Sequence, residues 1–132
     1  MANEVVIYAC QQAAPDPEGL RALWGQDGPR LRVIPEPCSS KVEAFQLLRT
    51  LATPVDLVWV IGCPEDQCRL DEGSHKLGQR VAYTRRYLQE IGLEPERCGR
   101  SLVIPGDQAA LAAALTEIKA QTAALGKSPL KK

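Results

Sequence analysis

Cysteine is the residue type in this chain best suited to chemistry. There are five, Cys10, Cys38, Cys63, Cys68 and Cys98, against a single histidine, His75. An odd count, behind an N-terminus (Met1-Ala2-Asn3-Glu4) with neither a basic stretch nor a long apolar run, argues against an exported disulfide framework. The expected setting is cytoplasmic, where several thiols point to metal, cluster or redox chemistry. Cys63 and Cys68 have four residues between them, wider than the C-x-x-C of a zinc knuckle and long enough to wrap two corners of a larger object. Gly62 gives the backbone room to approach, and Pro64 stiffens the loop. Soft thiolates suit a [2Fe–2S] cluster, a [4Fe–4S] cluster and zinc alike. The bland alternative is that some of these thiols are buried small apolar side chains. Other chemistries have less to stand on. His75 is isolated near a helix start, no G-x-G-x-x-G follows the first strand, and there is no P-loop.

The elements that must position these thiols follow from hydrophobic patterning. Residues 5–10 (VVIYAC) read as a buried strand. Asp16-Pro17-Glu18 opens a short helix with Leu20, Leu23 and Trp24 inward. A second strand covers 31–34 and stops at Pro35. Ser40 caps a helix over 41–51 that buries Val42, Phe45, Leu48 and Leu51. The third strand, 55–61, is the clearest. A helix over 75–91 puts Leu77, Val81, Leu88 and Ile91 on one face and ends at Gly92. The fourth strand is 101–104. Asp107 leads into a last helix over 108–125, with Leu111, Leu115 and Ile118 inward. Strand–helix alternation repeated four times predicts an α/β three-layer sandwich with a four-stranded parallel sheet, flavodoxin-like or Rossmann-like. At 132 residues the chain is one domain, 1–125, with a frayed tail over 126–132.

In a parallel sheet all strand C-termini share one edge, where such folds place their ligands. Cys10 ends the first strand, Cys38 lies four residues past the second, Cys63 lies two past the third, and Cys68 follows in the same loop. Cys98 precedes the fourth strand and belongs to the opposite edge. Topology thus divides the thiols into four plus one. Cys10, Cys38, Cys63 and Cys68 form the candidate metal or cluster site, and spacing alone does not separate iron–sulfur from zinc.

Lys plus Arg and Asp plus Glu each number 16, so the net charge is zero. The balance disfavours a nucleic-acid binder, which ordinarily carries a basic excess. Aromatics are 5%, too few for a base-stacking platform. No apolar run approaches the roughly 20 residues of a membrane span. Charge is nonetheless uneven. The helix over 75–91 carries Lys76, Arg80, Arg85 and Arg86, with Arg69 just before it. That is either a basic face for an acidic partner surface or a solvated helix face. Arg80 follows the thiol loop closely enough to offset negative charge there.

One block is more specific. Gly62-Cys63-x-x-x-x-Cys68, Gly73, Arg80-Val81, Leu88 and Gly92-Leu93-Glu94-Pro95-Glu96-Arg97 together resemble the delta subunit family of methyl-viologen-reducing hydrogenase. Cys38-Ser39-Ser40-Lys41-Val42 is similar to that family's Cys-Ser-Gly-Arg-Val segment, and Cys10 falls at its first cysteine. The resemblance runs from Val5 to about Asp107. It implies a small iron–sulfur protein with a [2Fe–2S] cluster on Cys10, Cys38, Cys63 and Cys68. The implied role is non-catalytic: relaying electrons between a hydrogenase, formate dehydrogenase or similar module and a heterodisulfide-reductase-like flavoprotein, within a hetero-oligomer of anaerobic metabolism. The sequence departs from the family pattern at Ala13, where the family has the second cysteine of a C-x-x-C pair. It departs again at Arg69-Leu70, in place of His-Tyr, and at Ser74, in place of Asn. Cys98 has no counterpart. A structural zinc module and a thiol-based redox enzyme are the alternatives.

Overall fold

The computed structural model describes residues 4–11, 13–14, 16–26, 28–36, 44–52, 55–62, 73–104 and 106–126, with the backbone alone for 73–76. The strands are β1 (Glu4–Cys10), β2 (Arg30–Glu36), β3 (Leu57–Gly62) and β4 (Cys98–Leu102). The helices are α1 (Pro17–Trp24), α2 (Ala44–Ala52), α3 (Gly73–Glu90) and α4 (Gln108–Leu125), and a 3₁₀ turn (Pro95–Arg97) precedes β4. All strand pairs are parallel, in the order β2-β1-β3-β4. The α/β sandwich expected from the sequence is the fold observed.

Side chains alternate across the sheet because strand periodicity is two. Val5, Ile7, Ala9, Leu57 and Ile61 pack with Leu20 and Trp24 of α1 and with Leu111, Leu115 and Ile118 of α4. Val6, Tyr8, Val58 and Val60 pack with Leu47 and Leu51 of α2 and with Leu77, Val81 and Leu88 of α3. Each sheet face is therefore covered by two helices, and both central strands are buried on both sides.

Several local differences from the sequence expectation have clear causes. β2 runs through Pro35 instead of stopping there. It is an edge strand, and since Glu36 turns its carbonyl to the Gln11 N–H (2.8 Å), Pro35 directs its backbone to the open side, where no N–H is needed. β3 starts at Leu57 because buried Asp56 serves as a latch: its carboxylate accepts the Glu4 N–H and its own N–H donates to Glu4 O, both at 2.8 Å. On α2 the inward stripe is Leu47, Thr50 and Leu51, and Phe45 is exposed. Thr50 belongs inside because its hydroxyl bonds to the Tyr8 hydroxyl at 2.9 Å. Ile91, expected inward, is exposed, since α3 ends one residue earlier in a tight Gly92 cap. There the Leu93 N–H bonds to Leu88 O (2.9 Å) and the Gly92 N–H to Gln89 O (3.2 Å), with Gly92 at φ +84°. Asp107 caps α4 through the Ala110 N–H at 3.0 Å.

The 3₁₀ turn brings in a buried cation. Arg97, 1% exposed, pairs with the Glu94 carboxylate (2.8 Å) and donates to the carbonyls of Asp56 (3.0 Å), Leu125 (3.2 Å) and Gly126 (3.0 Å). A planar guanidinium can serve four acceptors at once. It satisfies carbonyls that the C-terminus of α4 leaves open and ties that helix to the start of β3. Arg97's hydrogen bonds are the main reason the Glu94 carboxyl titrates below its usual range.

Candidate functional site

The candidate site lies at the C-terminal edge of the sheet. β1 is followed in space by β2 on one side and by β3 and then β4 on the other, so the strand order reverses between β1 and β3. The helices that follow those two strands, α1 and α3, pack on opposite faces of the sheet, and the crevice at such a reversal is where open α/β sheets bind ligands. Cys10 is the last residue of β1 and stands at this point. It is fully buried and free, and its partner across the ladder is Glu36, the last residue of β2. Its carbonyl accepts the N–H groups of Ala13 (3.1 Å) and Ala14 (2.8 Å), which turns the chain back at once. Ala13 and Ala14 are each 3% exposed in the same core cluster as Cys10. Ala13, where the resemblance implies a second cysteine, is thus occupied by a packed methyl.

Gly62 ends β3. It pairs with Leu102, and its carbonyl accepts the Val103 N–H at 2.7 Å, so the ladder is maintained to the very end of the strand. Cys63 is the next residue in sequence, and Cys38 comes two residues after Glu36. Cys38, Cys63 and Cys68 lie outside the described residues, as do Arg69 and the side chains of Ser74, His75 and Lys76. Among the described residues, no three or more His, Cys, Asp or Glu side chains gather as a metal site. Of the four expected ligands, the structure therefore places Cys10. For two others it places the strand residues from which they follow.

Cys98 is the first residue of β4, where the sequence put it ahead of the strand, because the 3₁₀ turn delivers the chain into the ladder earlier. It pairs with Val58, at the N-terminal end of the sheet. It packs with Val6 and Tyr8 in the layer under α2 and α3, whereas Cys10 packs in the other layer. Burial pushes the Cys98 thiol up to about 12, against a smaller opposing pull from the Arg85 charge. The two described thiols thus differ in sheet end and in core layer. Arg80 is half-buried on α3.

Two residues at the candidate edge escaped the sequence reading. Leu102 and Ile104, at the end of β4 beside Gly62, are 40% and 47% exposed. A β-branched run reads as buried strand, and only the position of β4 at the sheet margin reveals them as an apolar rim.

With this geometry in hand, similarity to known proteins decides the family. Residues 5–126 match the family model described as methyl-viologen-reducing hydrogenase, delta subunit. The chain belongs to that family. Members similar to it include the F420-non-reducing hydrogenase iron-sulfur subunit of Archaeoglobus profundus, 32% identical over 126 residues, which cover 92% of this chain and 90% of the relative. The vhu iron-sulfur subunit of the F420-non-reducing hydrogenase of Methanococcus voltae is 27% identical over 127 residues, 96% of this chain and 93% of the relative. Delta-subunit likeness extends into a larger protein. One subunit of the ferredoxin/F(420)H(2)-dependent CoB-CoM heterodisulfide reductase of Methanosarcina acetivorans is 31% identical over 88 residues, 67% of this chain but 11% of that relative. No described helix is long and apolar enough to cross a membrane.

Proposed function

We propose that this delta-subunit family member is an electron-transfer protein whose residues 1–125 form one domain holding a [2Fe–2S] cluster at the C-terminal edge of the sheet. Cys10, Cys38, Cys63 and Cys68 are its proposed ligands. The observation that carries the reading is Cys10: a buried, free thiol at the strand-order reversal, with the ends of β2 and β3 beside it. The donor set fits the group, since four thiolates are the usual complement of such a cluster. Tethers are short, because consecutive Cα atoms are about 3.8 Å apart and Cys63 directly follows a hydrogen-bonded strand end. The names of the relatives, which include the words iron-sulfur subunit, support the same choice over zinc.

When bound, the cluster supplies a one-electron carrier. The chain's own residues do the rest. Buried Ala9, Ala13 and Ala14 exclude water on the Cys10 side, and a drier shell shifts the potential of a thiolate-held group. Arg80 offers positive charge in the first half of α3, downstream of the thiol loop. Leu102 and Ile104 give the edge an apolar rim for a partner to cover. The likeness to part of a heterodisulfide reductase supports a partner of that type on one side of the relay, with a hydrogenase or similar redox module on the other. No group on the chain is assigned bond-making chemistry.

The test is anaerobic purification followed by the visible spectrum and the iron, acid-labile sulfide and zinc content. The reading expects a brown protein with two iron and two sulfide per chain, about the stoichiometry of a [2Fe–2S] centre. A colourless protein with one zinc overturns it in favour of a structural zinc module. A metal-free protein with one hyper-reactive thiol overturns it in favour of thiol chemistry.

A further inference from the structure

At the strand-order reversal a carboxylate stands directly across the ladder from Cys10. β1 and β2 stay in register to their last residues, and their final lateral pair is Cys10 with Glu36. Neighbouring strands lie about 4.8 Å apart, and laterally paired residues of a parallel ladder project side by side. Pairs lower in the same ladder show this. Ile7 and Val33 pack in one layer, Tyr8 and Ile34 in the other. The backbone holds Glu36 on both sides: Pro35, paired with Ala9, fixes the chain just before it, and its own carbonyl accepts the Gln11 N–H at 2.8 Å. Its place opposite Cys10 therefore does not depend on what its side chain does.

That side chain is half-buried, and among the described residues its carboxylate has neither an ion-pair nor a hydrogen-bond partner. Other acids at this end of the sheet are engaged or exposed. Asp107 is occupied as the cap of α4, and Glu18 pairs with Arg21. Asp16, just before α1, is exposed and lies against its own helix, where a Cβ on Gly19 would be 2.6 Å from its Oδ2. Cys10 is fully buried, with Ala9, Ala13 and Ala14 in the same cluster, so little water is on hand there to screen a neighbouring charge.

We propose that Glu36 is a potential-setting residue: its fixed negative charge, one strand away from Cys10, holds the reduction potential of the thiolate-bound group down. The inference rests on the proposed [2Fe–2S] reading and deepens it. Four thiolates already make the site negative, and taking up one electron from the donor side of the relay adds a further negative charge. The step moves an electron alone, with no bond made or broken. A carboxylate across the ladder opposes the added charge, so uptake becomes harder and release to the acceptor easier. Unit charges a few ångströms apart near a protein surface shift an equilibrium by more than tenfold, and water on the exposed side of Glu36 trims this to about tenfold.

The experiment is a mediated dithionite titration of the anaerobically purified full chain, followed by visible absorption and by the paramagnetic signal of the reduced protein. Glu36→Gln should shift the reduction equilibrium about tenfold toward the reduced form, about 59 mV upward for a one-electron couple, with iron, sulfide and the shape of the signal unchanged. Glu36→Lys should shift it further in the same direction. Glu36→Asp keeps the charge and should stay within about twofold of wild type, as should the exposed control Asp16→Asn. An unchanged potential in Glu36→Gln with full iron overturns the inference alone. So does an equal shift in Glu36→Asp, which marks a change of shape and not of charge, and so does loss of iron from both Glu36→Gln and Glu36→Lys, which makes Glu36 structural. A wild-type protein without iron and sulfide overturns the cluster reading and this inference together.

Discussion

Arg97→Ala removes a buried guanidinium that joins the end of α4 to the start of β3, and its contacts set the size of the loss. The guanidinium holds Glu94 and donates to three carbonyls, from Asp56, Leu125 and Gly126, at 1% exposure. Truncation leaves those carbonyls without this partner and a carboxylate without its counterion. Glu94 is 39% exposed, so the larger cost is the buried Asp56 carbonyl left without this donor, about 1–3 kcal/mol. Unfolding entropy is about 2.1 cal/mol/K per residue, or roughly 0.28 kcal/mol/K for this length, so Tm should fall by about 4–11 °C. Arg97→Lys should recover only part of that, because a point charge cannot span the four acceptors that a planar fork reaches. Thermal or urea unfolding of identically handled proteins measures the loss, and hydrogen exchange locates it. Amides of the last turn of α4, whose carbonyls Arg97 caps, should exchange first. A loss below about 1 kcal/mol, or unchanged protection at residues 122–126, would refute the claim that Arg97 ties α4 to β3.

Other expectations follow from single contacts. A Cβ on Gly99 would lie 2.6 and 2.7 Å from Cζ3 and Cζ2 of the Trp59 ring, so Gly99→Ala should lose about 1–3 kcal/mol. Trp59→Phe should relieve much of that loss in the double variant, and a urea-denaturation cycle checks the rescue. Thr50→Val should destabilise more than Tyr8→Phe. The first strands the buried Tyr8 hydroxyl, at about 1–3 kcal/mol, whereas after the second the Thr50 hydroxyl still donates to Gln46 O at 2.7 Å. Cys98 ionises near 12 when folded and near 9 when unfolded, so the folded state is favoured below pH 9 and loses that advantage as pH rises toward 12. At pH 10 the difference is on the order of 1 kcal/mol. Cys98→Ala should therefore flatten the alkaline decline of stability, and peptide mapping after alkylation at about pH 8 should find Cys98 unmodified in the native protein.

The order of elements, the parallel sheet and the separation of Cys10 from Cys98 were all legible in the sequence, because each depends on short-range periodicity and on a handed crossover rule. Helix α4 is observed over the residues expected, since Asp107 and Gly126 are unambiguous end signals. The misread positions share a cause: they depend on contacts distant in sequence. Phe45 and Leu47 fit helical spacing equally well, and only Tyr8, 42 residues from Thr50, selects the face that turns inward. Pro35 reads as a strand end until β2 is known to be an edge. Arg97 looks like one more surface arginine until α4 returns, 28 and 29 residues later, to place its carbonyls beside it. At the candidate site, Cys10 was legible as a strand terminus. The rim formed by Leu102 and Ile104 was not, because burial at a sheet margin depends on which strand comes last.

The central claim is that four thiols serve one cluster and Cys98 does not. Single Ser substitutions at all five cysteines, each purified anaerobically and assayed for iron, sulfide and the paramagnetic signal after reduction, test it most directly. Cys98→Ser should keep the wild-type iron, sulfide and signal, while Cys10→Ser, Cys38→Ser, Cys63→Ser and Cys68→Ser should each lose or markedly alter the signal. A signal abolished by Cys98→Ser, or one that survives Cys10→Ser unchanged, would contradict the account.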